Sequence, residues 1–342
     1  MSKTVARLTS PAQLVAALPH WLGFQATESL VVLCLHEPRG RLGLTMRYDL
    51  PPVEQQAQLV GEVLARVRHE DATRVALVVL TDDPPPGARA DLVQALLAGL
   101  APLSVTEAVL VRGGRFWSYL CAQEQCCPAA GTPVQSGETA GPVRLLAAET
   151  ALAGRPVLPS RQELEGLLAP PSFLACSGAT QRLERAGAEL GRAMDGQGVE
   201  RVRDRCLTGW RMALDRWAAP PAELDDEQAA SLVAALDHVA VRDEVATWAR
   251  RSSDPLQGLL QELCRRTPPP YDAPVCTLLA WVTYAAGGGA VTTIALDRAL
   301  TTDPGYSLAG LLAQALHQQV PPAQIRELMR SGRAAQTRAP TG

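Results

Sequence analysis

Lysine is nearly missing from this chain: of 32 basic residues only Lys3 is a lysine, and the rest are arginine. Alanine and glycine are abundant alongside, so arginine is a composition-wide bias and marks no phosphate or carboxylate site by itself. The apolar core of a signal peptide is missing from Met1 to Pro11, and no run of about eighteen apolar residues follows. Those absences predict a cytosolic protein without a membrane span. In that compartment the eight cysteines are expected as reduced thiols and not as a disulfide framework. An excess of charge of either sign is lacking too. The first 160 residues carry 13 basic and 14 acidic side chains, and the remainder 19 and 21. Without a basic stripe, and with aromatics at only 4%, nucleic acid is not an expected partner.

What is present is enough apolar sequence, 47% over 342 residues, for two ordinary cores. The first half reads as an α/β domain with a mixed sheet. Ser10-Pro11 starts a helix that Gly23 ends, and Pro19 is expected to kink or shorten it. Ser29 to His36 and Leu42 to Leu50 form a hairpin, Val53 to His69 an amphipathic helix, and Arg74 to Leu80 a buried strand. A helix from about Ala88 to Leu100 leads to a strand at Glu107 to Val111. A two-glycine turn, Gly113-Gly114, then opens a strand at Phe116 to Cys121. Gly131 to Pro142 reads as loop, and helical pattern dominates from about Glu163. The expected organisation is an α/β domain over 1–160, an α-helical domain over 161–330, and a frayed tail over 331–342. Pro220-Pro221 and Pro268 to Pro270 divide the helical part, and Gly287 to Gly289 is an interhelical turn.

Right-handed crossovers make the second, third and fourth strands parallel, so their carboxyl ends share one edge. That edge collects Arg47, Asp49, Asp82, Asp83, Arg112 and Arg115, beside Glu28 and Ser29. Ligands of open α/β sheets bind at such edges. Asp82 and Asp83 are candidates for a divalent cation, and Arg47, Arg112 and Arg115 for a small anion; the alternative is ordinary turn solvation.

The densest chemistry lies in Phe116 to Gly131, which holds Cys121, Cys126 and Cys127. Three readings stay open: small apolar packing, thiol redox chemistry, or a metal site, with zinc the candidate ion. Adjacent cysteines are poor at facing one ion, and no paired histidine follows. His36 ends the first strand on the same side of the sheet as Cys121, so it is the fourth candidate ligand. The carboxylates Asp225 to Glu227 read as helix capping. Trp210 and Trp217 lie on one helical stripe and read as core.

Pro19 to Phe24, Glu28 to Val32, Thr45 to Pro51, Trp117-Ser-Tyr, Cys126-Cys-Pro128, Gly131 and the distal Ala299-Leu300 to Asp303-Pro304 together resemble the actinobacterial domain-of-unknown-function 4192 family. The resemblance covers nearly the whole chain. It implies a cytosolic bacterial protein and brings no activity, cofactor or functional residue. Trp281 to Ala309 resembles a single tetratricopeptide helix pair, which implies a partner-binding helical surface; burial alone accounts for the same apolar positions. The sequence therefore points first to a binding or interaction protein, with a protein partner on the helical domain. The alternative is a hydrolase or transferase using Asp82 and Asp83 with Arg47 and Arg112 on a phosphorylated or carboxylated small molecule.

Overall fold

The structure, a computed structural model, describes residues 7–318 apart from 39, 86, 153–155, 220–222, 250–254 and 287–288, together with 320, 324 and 327. The tail 331–342, the pair Pro220-Pro221 and two of the three consecutive glycines lie outside the described residues. The chain divides into two compact units, Met1–Arg161 and Gln162–Gly342.

In the first unit, helix α1 (Pro11–Leu22) begins where Ser10 Oγ accepts the Gln13 N–H at 3.3 Å and ends at Gly23, whose φ of 84° is left-handed. Pro19 does not shorten it. The proline removes one backbone bond within the last turn, and its own carbonyl still accepts the Gly23 N–H at 2.8 Å. There follow β1 (Ser29–His36), β2 (Arg41–Asp49), a 3-10 turn at Val53–Gln55, α2 (Gln56–His69), β3 (Arg74–Leu80), α3 (Ala90–Leu100), β4 (Ser104–Arg112), β5 (Arg115–Ser118), β6 (Thr132–Pro133), α4 (Gln135–Glu138) and α5 (Gly141–Leu152). The strands form one mixed sheet in the order β2-β1-β3-β4-β5-β6, in which β3 and β4 are parallel and every other pair antiparallel.

Successive residues of a strand face opposite sides, and here both sides are covered. Leu30, Val32, Cys34, Val75, Leu77 and Val79 pack with Leu59 and Val63 of α2 and Leu92 and Leu96 of α3. Val31, Leu33, Ala76, Val78 and Val109 pack on the other side with Val15 and Leu18 of α1 and Val143 of α5. Burial on both faces is why β1 and β3 read as unbroken apolar runs.

Two expectations are corrected here. Strand β5 stops at Ser118 and not at Cys121, because Ser118 Oγ accepts the N–H groups of Leu120 and Cys121, both at 3.1 Å, and turns the chain out of the sheet. The segment read as loop holds β6 and α4. Gly137 of α4 lies so close to α1 that a Cβ there would stand 2.1 Å from the Ala12 carbonyl oxygen, so glycine marks a helix contact and not a flexible link.

Glu107 is a half-buried carboxyl on β4, and burial raises its pKa. Its favourable contribution is therefore present below the unfolded carboxylate value and lost as pH rises through the folded one. Glu107→Gln should flatten the stability–pH profile on the acid side of neutrality and add about 0.5 kcal/mol or less near pH 7. Urea titrations at a series of pH values check this; a profile unchanged in slope would reject it.

Among the described residues the rest of the chain is helical: α6 (Arg161–Leu167), α7 (Phe173–Gln197), α8 (Val199–Trp217), α9 (Asp226–Ala235), α10 (Val239–Ala246), α11 (Pro255–Arg266), α12 (Ala273–Ala286), α13 (Ala290–Thr302) and α14 (Ser307–His317). Asp225 caps α9, its Oδ1 accepting the Gln228 N–H at 2.7 Å. Helix α12 is buried along almost its whole length and packs on α10, α11, α13 and α14, which makes it the hub of the second unit. Its Trp281 donates Nε1–H to Ala246 O at 3.1 Å, and fully buried Trp210 donates to Leu232 O at 3.2 Å. Both indoles thus combine a large buried surface with a satisfied donor.

Candidate metal centre: the three-thiol loop between β5 and β6

The chain leaves the sheet at Ser118 and re-enters it at Thr132, and both ends of the intervening loop are fixed. Arg115 donates Nε–H to Ala130 O at 2.7 Å and Nη2–H to Gly131 O at 2.8 Å. Trp117 donates Nε1–H to Ala129 O at 2.9 Å. Gly131 has φ 75°, and a Cβ there would lie 2.5 Å from the Trp117 ring, so this position needs glycine for both its backbone and its neighbour.

Within that frame the N–H groups of Cys126 and Cys127 both point to Gln123 O, at 3.2 and 2.8 Å. This tight turn overcomes the usual divergence of adjacent side chains. The sulfurs of Cys121, Cys126 and Cys127 all lie within 4.8 Å of one another, and among the described residues they are the one group of three or more His, Cys, Asp or Glu side chains so placed. Cys121 and Cys126 are free thiols with sulfurs 3.1 Å apart, well beyond a covalent bond of about 2.05 Å. Zinc–thiolate bonds of about 2.3 Å in tetrahedral geometry set sulfurs about 3.8 Å apart, a separation inside the 4.8 Å limit that these three meet.

These three cysteines are less buried than the others of the sheet and helix cores. Cys126 is exposed and Cys121 and Cys127 are half-buried, whereas the buried cysteines are Cys34, Cys264 and Cys276. Their electrostatics diverge as well. The Gln123 backbone N–H, together with the two neighbouring thiols, lowers the pKa of Cys121, while desolvation and the adjacent sulfurs push Cys127 up to about 12. Cys34, by contrast, is raised to about 12 by burial in the sheet core and is chemically quiet.

His36 is not with the three sulfurs. Its Nε2 lies 3.4 Å from Glu70 Oε1, and β3 and β4 stand between its strand and β5. Three strand spacings amount to about 14 Å. Sharing one side of the sheet did not bring His36 to the loop, because strand order sets lateral distance.

Most of the charged residues proposed for the carboxyl edge are engaged with neighbouring groups of that edge. Arg47 donates Nε–H to Ser29 Oγ at 2.8 Å and pairs with Asp49 at 2.5 Å. Asp83 pairs at 2.8 Å with Arg89, a residue the sequence reading passed over. Glu28, held at φ 40°, accepts from Thr81 Oγ1 at 3.1 Å and from the Asp82 N–H at 2.6 Å, with Arg89 3.9 Å away. Arg112 is exposed at the β4–β5 turn, and Arg115 belongs to the thiol loop. Carboxylates and guanidinium groups at this edge mainly neutralise one another.

A concavity of a size that suits a small ligand lies instead in the second unit. It is a groove of about 570 Å³ between α7, α8 and α9, with Leu190, Met212 and Leu232 on its apolar part and Glu189, Arg205 and Arg216 at its polar part. Nothing in the charge distribution of the sequence pointed to it.

A mixed α/β unit carrying a loop with three clustered cysteines, followed by a helical unit, defines a two-part protein. Residues 11–323 match the family described as "Domain of unknown function (DUF4192)", and the chain belongs to that family. No curated protein and no solved structure matches it. Among the described residues no helix is long and apolar enough to cross a membrane.

Proposed function

We propose that this is a cytosolic binding protein whose N-terminal unit holds a soft divalent ion of the zinc class through the thiolates of Cys121, Cys126 and Cys127. The convergence of the three sulfurs within 4.8 Å on an exposed loop carries this reading. Two further features support it. The loop is fixed from both ends by side chains that are not ligands, as metal sites require for orientation. The donor set is also soft, which selects zinc or its neighbours over magnesium or calcium.

The enzymatic alternative has less behind it, because Arg47 and Asp83 are each taken up by an opposite charge. Metal analysis of the full chain, reduced and reloaded with zinc, should give one ion per chain. Cys126→Ser and Cys127→Ser should each weaken binding more than about 100-fold, beyond what loss of an outer-shell partner costs. Cys206→Ser, in the second unit, should change nothing. A chain that retains no zinc while all its thiols titrate, or a non-reducing mass short by two hydrogens with Cys121 joined to Cys126, would overturn the proposal.

A further inference from the structure

We infer that the fourth coordination position of the ion is filled from outside this chain by a neutral imidazole nitrogen. The inference rests on the metal reading of Cys121, Cys126 and Cys127. Zinc takes four ligands, and a site with three protein donors keeps one position for an outside group. Among the described residues no fourth His, Cys, Asp or Glu joins the three sulfurs. His36 is held by Glu70, and Glu124, inside the loop, is exposed and outside the group.

The loop is also poorly placed to recruit another of its own residues. Ser118 Oγ fixes the backbone at Leu120 and Cys121, Gln123 O fixes it at Cys126 and Cys127, and Arg115 and Trp117 fix Ala129 to Gly131. The exposure of Cys126 leaves a path from solvent to the ion.

Charge selects the donor. Three thiolates on a dication sum to one negative charge, and Glu124 adds another in the same loop. Between Ser118 and Gly131 the sequence has no lysine or arginine, and the Arg115 guanidinium is directed at two carbonyls. A fourth thiolate or a carboxylate would therefore raise an uncompensated negative charge, whereas imidazole adds none and, against the equally neutral water that otherwise fills an open position, offers the nitrogen donor that suits zinc. The imidazole belongs to a free small molecule or to a histidine side chain of another protein, two sources with one ligand chemistry.

The test uses the full chain loaded with cobalt(II) in place of zinc, because the visible bands of cobalt report its donor set. Free imidazole, the tripeptide Gly-His-Gly and 2-mercaptoethanol are titrated separately near neutral pH. Imidazole should shift the bands to a saturating endpoint, with half-saturation at a concentration at least about tenfold lower than for the thiol, a ratio worth about 1.4 kcal/mol. A matching shift with the tripeptide shows that the position admits a histidine carried on a peptide; a shift with imidazole alone restricts it to a small ligand. Glu124→Gln should narrow the preference over the thiol several-fold. Bands that no additive moves, or a thiol that binds as well as or better than imidazole, overturn the inference while leaving the metal site standing. Absence of cobalt binding removes the metal site and the inference together, so the two failures are distinct.

Discussion

Arg298→Met should lower the stability of the helical unit by about 3–5 kcal/mol, the range for breaking a buried ion pair by removing one partner. Arg298 on α13 donates Nε–H to Asp272 Oδ2 at 2.7 Å, Nη1–H to the carbonyls of Leu168 and Cys264, the latter at 3.0 Å, and Nη2–H to Thr267 O at 2.7 Å. One guanidinium therefore ties together the residues just past α6, the end of α11 and the approach to α12. Asp272 is fully buried and the Arg298 side chain is only 12% exposed. Removing the cation leaves a carboxylate without its counter-charge and three carbonyls short of a donor. The other carboxylate oxygen, Oδ1, already has no hydrogen-bond partner. The double variant Arg298→Met with Asp272→Asn should recover part of the loss, since it removes the stranded charge. Denaturant unfolding followed through Trp210 and Trp281 measures both. A single-variant loss under about 1 kcal/mol would show that solvent reaches Asp272 and that this network is not buried as described.

Gly131→Ala should have the second large effect, and it should fall on the thiol loop and the sheet together. A left-handed conformation costs a side-chain-bearing residue about 1–2 kcal/mol. A methyl group pressed against a fixed ring adds about 1–3 kcal/mol more. The indole of Trp117 cannot swing away without giving up its bond to Ala129 O, and that bond helps hold the loop. A loss of about 2–4 kcal/mol in the first unit is expected, with zinc affinity reduced at least about tenfold because the sulfurs lose their frame. Equal zinc affinity in Gly131→Ala would show that the ligand turn keeps its shape without the clamp.

The sheet was largely legible because its strands are buried on both faces. Arg74 to Leu80 and Ser29 to His36 are continuous apolar runs with charged or turn residues at their ends, and the structure places both strands at those residues. The end of the domain was not. Thr132–Pro133 is too short to show alternation, and α5 buries little beyond Val143 and Thr150, so neither leaves a periodic trace.

The site was half legible. Sequence put three cysteines in one stretch but argued against Cys126 and Cys127 facing one ion. What composition does not carry is a single carbonyl, Gln123 O, receiving two consecutive N–H groups in the turn where the three sulfurs lie within 4.8 Å of one another. Arg89 was missed for a similar reason. It precedes α3 with φ 56°, directing its side chain to Asp83 and Glu28 from a position that the sequence places inside the first turn of the helix.

The two margins of the sheet differ in what they permit. At one, β6 is two residues long and one of them is proline, which has no N–H to offer a further strand. At the other, β2 runs for nine residues from Arg41 to Asp49, and among the described residues only β1 is paired with it. The longer row of unpaired backbone groups is thus on the β2 side, where the exposed Arg41 stands at one end of the strand and Asp49 at the other. Charged side chains on an exposed margin discourage a further strand from pairing there, and raising the salt concentration is the condition that weakens that guard.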